Sequence, residues 1–156
     1  MAEAVEIAAT PAEIFAVLED IDRLGRFLPE SVFRRVEPAG GQRKGPGASM
    51  WATTMTGRRS FRVRLVLTEI QRPRRLVLAA VEGPIVYRLE YDLAEAGPGA
   101  AHVTLATVYP APRTALSRWF DRTFLQHTIR AQHRVTLDAL DRAVVPEGSG
   151  RDRGCP

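Results

Sequence analysis

Two hydrophobic periods divide the chain. Across residues 49–109 apolar side chains recur at every second position, and beyond residue 113 they recur every three or four. The first spacing belongs to half-buried strands and the second to an amphipathic helix. The clearest strand is 87–93, where Tyr87, Leu89, Tyr91 and Leu93 alternate with Arg88, Glu90 and Asp92. Phe61, Val63, Leu65 and Leu67 form a second, and Val103, Leu105, Thr107 and Tyr109 a third. Shorter stretches at 5–7, 32–36, 49–55 and 76–81 complete the set. The interruptions are turn chemistry: Gly57-Arg58, Gln71-Arg72-Pro73, Glu82-Gly83-Pro84 and Gly97-Pro98-Gly99. Connections this short join antiparallel neighbours.

Helical signals lie at the two ends. Thr10-Pro11-Ala12-Glu13 reads as a helix start, with a capping hydroxyl, a proline at the first helical position and a glutamate three residues after the cap. Ile14, Phe15, Val17 and Leu18 supply its apolar stripe. Asp20 or Asp22 caps a second short helix carrying Leu24 and Phe27, and Pro29 ends it. Residues 113–144 hold neither Gly nor Pro, which leaves room for one helix of about eight turns. Leu116, Phe120, Phe124, His127, Ala131, Val135 and Ala139 fall along one stripe of it. Trp119, Leu125, Ile129, Leu137 and Leu140 form a second group, so the helix is expected to be largely enclosed. The fold class is therefore α+β. A curved antiparallel sheet of about seven strands wraps a long C-terminal helix, with two short helices after the first strand. Residues 1–145 read as one domain and 146–156 as a disordered tail.

Composition narrows the function classes. The chain has 156 residues, 45% of them hydrophobic and 26% charged, enough for one domain with a real core. The longest aliphatic run, Leu76 to Val81, is far too short to span a bilayer. Glu3 and Glu6 stand where a secretory signal would be basic and then apolar, and Cys155 has no cysteine partner. A cytoplasmic location is the expectation. Of 22 basic residues all but Lys44 are Arg, yet 18 acidic residues are interspersed and the net charge is only +4. With abundant Ala, Gly, Pro and Val, this points to GC-rich coding, and no nucleic-acid partner is expected. Arg58 to Arg75 holds seven Arg against Glu69 alone. Arg62 and Arg64 alternate with Phe61 and Val63, so the run reads as a solvated sheet back or as a surface for peripheral contact with an anionic membrane.

The order of elements resembles the START-like (SRPBCC) superfamily of helix-grip proteins, in particular its bacterial polyketide cyclase/dehydrase branch. The resemblance is carried by the run Val5-Glu6-Ile7-Ala8-Ala9-Thr10-Pro11-Ala12-Glu13-Ile14-Phe15-Ala16-Val17-Leu18-Glu19-Asp20. Leu24 to Pro29, Gly47-Ala48-Ser49-Met50-Trp51, Glu69-Ile70 and Pro73-Arg74-Arg75-Leu76 extend it over roughly residues 3–144. It implies a cavity between sheet and helix for a hydrophobic ligand of lipid, quinone or polyketide type. Carriers, sensors and cyclases share such a pocket, so the likeness leaves carrier and enzyme both open.

Searching the residues for chemistry supports a cavity over other sites. No Gly-x-Ser-x-Gly elbow is present. His127 and His133 are six residues apart, about 240° around a helix, so they cannot share a metal. His102 begins a strand beside a turn. Gly40 to Gly47 lacks a Gly-Lys-Ser/Thr ending and leads into a strand, so it reads as a mobile loop and not a phosphate cradle. No metal and no cofactor are expected. The ligand-binding candidates are Trp51, Phe61, Tyr87, Tyr91 and Tyr109 from the strands, with Phe120, Phe124, His127 and Ala131 from the helix. The same residues taken singly are ordinary core; as a set they carry many polar tips for a sealed interior. For cyclisation of a poly-β-ketone, His127 is the candidate acid/base. Tyr87, Tyr91 or Tyr109 would hydrogen-bond the enolate, and Arg134 would steady an anion.

Overall fold

The structure, a computed structural model, describes residues 2–27, 33–56, 59–83, 86–108 and 125–144. Strand β1 (Ala2–Ile7) leads into helices α1 (Pro11–Leu18) and α2 (Ile21–Phe27). Six strands follow: β2 (Phe33–Pro38), β3 (Ser49–Thr56), β4 (Arg59–Gln71), β5 (Arg75–Glu82), β6 (Tyr87–Glu95) and β7 (Ala101–Val108). Helix α3 (Leu125–Val144) comes last. The strands form one sheet in the order β1-β7-β6-β5-β4-β3-β2, antiparallel throughout. Consecutive hairpins build β2 to β7, and β1 closes the far edge beside β7. This is the helix-grip arrangement. Register shifts at Arg34/Glu37, Arg64/Leu65 and Leu67/Glu69 mark bulges, which bend strands and so help to curve the sheet.

The helix starts follow the sequence signals closely. Thr10 Oγ1 accepts from the Glu13 N–H at 3.3 Å, and its hydroxyl donates to Glu13 Oε1 at 3.1 Å. Asp20 caps α2, its Oδ1 accepting from the Asp22 N–H at 3.1 Å. The glycine-rich segment before β3 differs from the expected free loop. Ile21 N–H donates to Arg43 O at 3.0 Å, Gly45 N–H to Glu19 O at 3.4 Å, and Gly47 N–H to Leu67 O at 2.8 Å. Lys44 Nζ lies 3.6 Å from the Asp20 carboxylate and Arg43 lies 3.2 Å from that of Asp22. The glycines let the backbone turn; the flanking residues clasp the α1–α2 corner to β4.

One core joins the inner face of the sheet to Ile14, Phe15 and Leu18 of α1 and to Leu137 and Leu140 of α3. Helix α3 packs against β1, β7, α1 and α2. It buries His133, Thr136, Leu137 and Leu140, whereas Ala131, Arg134 and Asp138 are exposed and Val135 is 42% exposed. From Arg130 onward α3 is therefore two-sided and not enclosed. The sheet and the short helices cover one face, and an alanine–valine stripe on the other faces water. The expected helical stretch 113–124 and the tail 146–156 lie outside the described residues.

Candidate functional site

The inner face beneath α3 is largely apolar, and its polar side chains include Tyr91 and Thr107 from the sheet and His133 from α3, with Tyr87 further along β6 and Glu3 on the β1 edge. The β6–β7 register sets Leu89 opposite Thr107 and Tyr91 opposite Leu105, so Thr107 stands diagonal to Tyr91 on the same face. From α3, His133 Nε2 comes within 2.6 Å of Thr107 Oγ1. Tyr91 is fully buried, and His133 and Thr107 keep only 3% and 9% of their surface. Among the described residues neither the Tyr91 hydroxyl nor His133 Nδ1 has a hydrogen-bond partner. Leaving such an atom unpaired in a core costs about 1–3 kcal/mol. The core cluster around them is otherwise built mainly of aliphatic side chains, including Leu65, Leu67, Leu76, Leu78 and Leu105, with Tyr87 among them.

Burial sets the charge state of both groups. Desolvation pushes the His133 imidazole down to about 4, against the opposing pull of the Glu3 carboxylate. Desolvation likewise pushes the Tyr91 phenol far up, with Tyr87 adding to it. Both are neutral at neutral pH. The arrangement can exchange hydrogen bonds with an uncharged molecule, and the imidazole is in the form that accepts a proton.

The sequence candidates are distributed unevenly. Tyr87 and Tyr91 are buried in the core cluster, and Phe61 is half-buried on the face of Val63. Trp51 is a correction. The β3–β4 register pairs it with Arg64 while its neighbours Met50 and Ala52 enter the core, so Trp51 belongs to the outer face, where the Arg62 guanidinium lies 4.7 Å from its ring centre. Alternation alone finds the two faces of a strand and leaves open which one is inside. Ala131 is a second correction, exposed on the outer side of α3. Arg134 is also outside, its side chain 76% exposed and 3.9 Å from Glu3. Tyr109, Phe120 and Phe124 lie outside the described residues, as does the side chain of His127. His133 and Thr107 are the residues that sequence reasoning missed. Their signals were present: His133 precedes Leu137 by four and Leu140 by seven positions, and Thr107 continues the inward register of Val103 and Leu105.

On the opposite face the arginine run meets carboxylates, most of them outside the run. Arg75 lies 3.2 Å from Glu69, 3.2 Å from Glu90 and 3.0 Å from Asp92. Arg64 pairs with Glu82 at 3.2 Å, and Arg72 pairs with Glu19. Among the described residues, no group of three or more His, Cys, Asp or Glu side chains is placed to hold a metal ion. No described helix is long and apolar enough to cross a membrane.

No curated protein matches the chain. Solved structures do. A protein of Thermus thermophilus, TTHA0849, is similar with a TM-score of 0.74 at 16% identity, over 92% of this chain and 95% of that one. The ZhuI aromatase/cyclase of Streptomyces sp. R1128 gives 0.70 at 13% identity, over 95% and 96%. Truncated norcoclaurine synthase of Thalictrum flavum gives 0.68 at 16% identity, over 94% and 92%. At such identities the likeness establishes the fold. Sequence establishes the family: over residues 1–145 the chain matches, and so belongs to, the START-like family described as polyketide cyclase / dehydrase and lipid transport.

Proposed function

We propose that the protein binds a hydrophobic small molecule of lipid, quinone or polyketide type between the inner face of the sheet and α3. The carrying observation is the pair of buried polar atoms without partners among the described residues, the Tyr91 hydroxyl and His133 Nδ1, in a largely apolar interior. A core built for stability alone pairs such atoms or replaces them. A ligand oxygen supplies the missing partner. The family description, which joins polyketide chemistry with lipid transport, supports the same ligand class. Phe61, Tyr87 and Tyr91 are the lining residues proposed from the strands, with Tyr109, Phe120, Phe124 and His127 from the segments beyond. Native mass spectrometry of protein purified without detergent tests the proposal, followed by organic extraction and Nile red titration. An adduct released by extraction, or saturable dye binding, is the expected result. A bare chain mass together with no dye binding overturns it.

A second reading is ring closure of a poly-β-ketone, favoured by the neutral buried imidazole beside a tyrosine-bearing face. With Nε2–H donating to Thr107 and Nδ1 unprotonated, such an imidazole takes the proton from a carbon next to a carbonyl, and a phenol stabilises the resulting enolate oxygen. Product formed by the wild type and lost in His127→Ala or His133→Gln, with folding retained, separates catalysis from binding. A carrier acting at anionic membranes draws on the Arg58–Arg75 segment. The ion pairs of Arg64, Arg72 and Arg75 weaken that reading.

A further inference from the structure

Thr107, His133 and Tyr91 also specify what kind of ligand they can take. The hydrogen bond between Thr107 and His133 has two forms, which differ in what they leave over. If the Thr107 hydroxyl donates to His133 Nε2, the imidazole proton sits on Nδ1, and the one atom left over is an N–H donor. If Nε2 carries the proton and donates to Thr107, two things are left over: the threonine proton and the Nδ1 lone pair. In a buried site the first form strands fewer groups. Of these three residues it leaves His133 Nδ1–H and Tyr91 O–H without a partner among the described residues, and both are donors.

Charge adds a second constraint. Among the described residues, the buried polar or charged side chains are Asp20, Ser49, Thr107, His133 and Thr136. Asp20 is committed to capping α2 and to Lys44. Thr136 donates to Gln132 O at 2.7 Å. Arg130 and Arg134 of α3 are exposed and are paired with the Glu3 carboxylate on the β1 edge, at 4.0 and 3.9 Å. The Arg58–Arg75 segment sends Arg64 and Arg75 to carboxylates on the back of the sheet. No described cation therefore faces the interior, and an anion brought there would lose its hydration without a counter-charge. That costs several kcal/mol.

We propose that Thr107, His133 and Tyr91 form the polar end of the ligand site, and that this end selects an uncharged ligand through a carbonyl oxygen accepting from Tyr91 and His133. This rests on the reading that a hydrophobic molecule binds between sheet and helix. It goes further by naming the end group and excluding carboxylates, free fatty acids among them. Thr107 is a positioning residue that fixes the imidazole tautomer; Tyr91 and His133 touch the ligand.

Three probes of one skeleton test the assignment: 2-acetylnaphthalene, 2-ethylnaphthalene and 2-naphthoate, titrated at pH 7.5 into wild type, Tyr91→Phe and His133→Gln. The wild type is expected to bind the ketone about tenfold or more tightly than the hydrocarbon, since two donors gain an acceptor, and naphthoate most weakly. Tyr91→Phe removes only a hydroxyl, so it keeps the test alive if His133→Gln does not fold. It should weaken ketone binding about 3- to 10-fold and leave the hydrocarbon unchanged. Equal binding of all three probes overturns this inference and leaves the broader reading standing. A ketone preference that survives unchanged in Tyr91→Phe overturns it as well, as does naphthoate binding that matches the ketone. Failure of every probe to bind overturns both.

Discussion

His133 concentrates, in one side chain, the tension between what the interior accepts and what it excludes. Its imidazole is held neutral because charging it would strand a cation beneath α3, and the folded protein lowers its pKa to about 4. An unfolded chain titrates the same group near 6.5. Above about pH 7 both states are neutral there, and His133 contributes nothing to the pH dependence of folding. As pH falls from 6.5 toward 4 the unfolded state takes up a proton that the folded state refuses. Stability then declines, and the decline from this group levels off once the folded form also protonates. The loss amounts to as much as about 3 kcal/mol, less where water relaxes the site. Urea denaturation between pH 7.5 and 4.5 should show the wild type losing stability faster than His133→Gln, whose amide does not titrate. Parallel curves for the two proteins would place the acid sensitivity elsewhere, and not in the Asp141 carboxyl: burial and Asp138 push it upward, so the folded state takes up that proton first and gains stability as pH falls.

At the scale of elements, local rules determine most of the architecture, and the exceptions have physical causes. The turn after β5 shows how tightly one position can be determined. Gly83 has φ +136°, and a Cβ there would sit 2.9 Å from Arg62 O and 2.9 Å from Val63 Cγ1. A backbone oxygen cannot swing aside as a side-chain tip can. Gly83→Ala should therefore cost about 2–4 kcal/mol by strain and clash together, readable as a lowered denaturation midpoint with unchanged slope; a change under about 0.5 kcal/mol would mean the β5 end relaxes freely. The strands, their hairpins and the capped start of α1 were legible because each depends on contacts within a few residues. Tyr87 to Leu93 shows its period in seven positions, and Thr10 to Glu13 spells its own cap. Less legible were the choices made between elements. Trp51 alternates as well as any residue in β3, yet Met50 and Ala52 take the inside because β4 presents Leu65 and Val63 to them. The α3 stripe through Ala131 and Val135 is apolar enough to suggest burial, but β1, β7, α1 and α2 cover the other side. The arginine run likewise finds its partners, Glu82, Glu90 and Asp92, only once β5 and β6 are laid beside it. The candidate site was half legible on the same grounds. Tyr91 follows from a strand period, whereas the Thr107–His133 contact spans 26 residues and two elements.

For the whole molecule, stability and binding are set against each other at the place where sheet and helix meet. The fold brings α3 over β1 and β7 and encloses the Tyr91 hydroxyl and His133 Nδ1, which no described residue satisfies. That arrangement weakens the empty protein and strengthens the occupied one, so a single substitution should move the two states in opposite directions. Tyr91→Phe keeps the ring among its neighbours and removes the unpaired hydroxyl. Without ligand the variant should be more stable than the wild type by about 1 kcal/mol, because the buried hydroxyl's lost hydration no longer has to be offset. With a saturating neutral ketone the order should narrow or reverse. Ligand at about one hundred times its dissociation constant adds about 2.7 kcal/mol to a folded protein, and a variant that binds several-fold more weakly gains less at the same concentration. Thermal denaturation of both proteins, with and without 2-acetylnaphthalene, measures all four corners of this cycle. A variant less stable than wild type when empty would mean the Tyr91 hydroxyl is already satisfied in solution. A ligand-induced shift of equal size in both proteins would mean that the hydroxyl does not reach the ligand. The predicted convergence requires both that the interior is polar where it need not be and that a bound oxygen is what makes it worth keeping so.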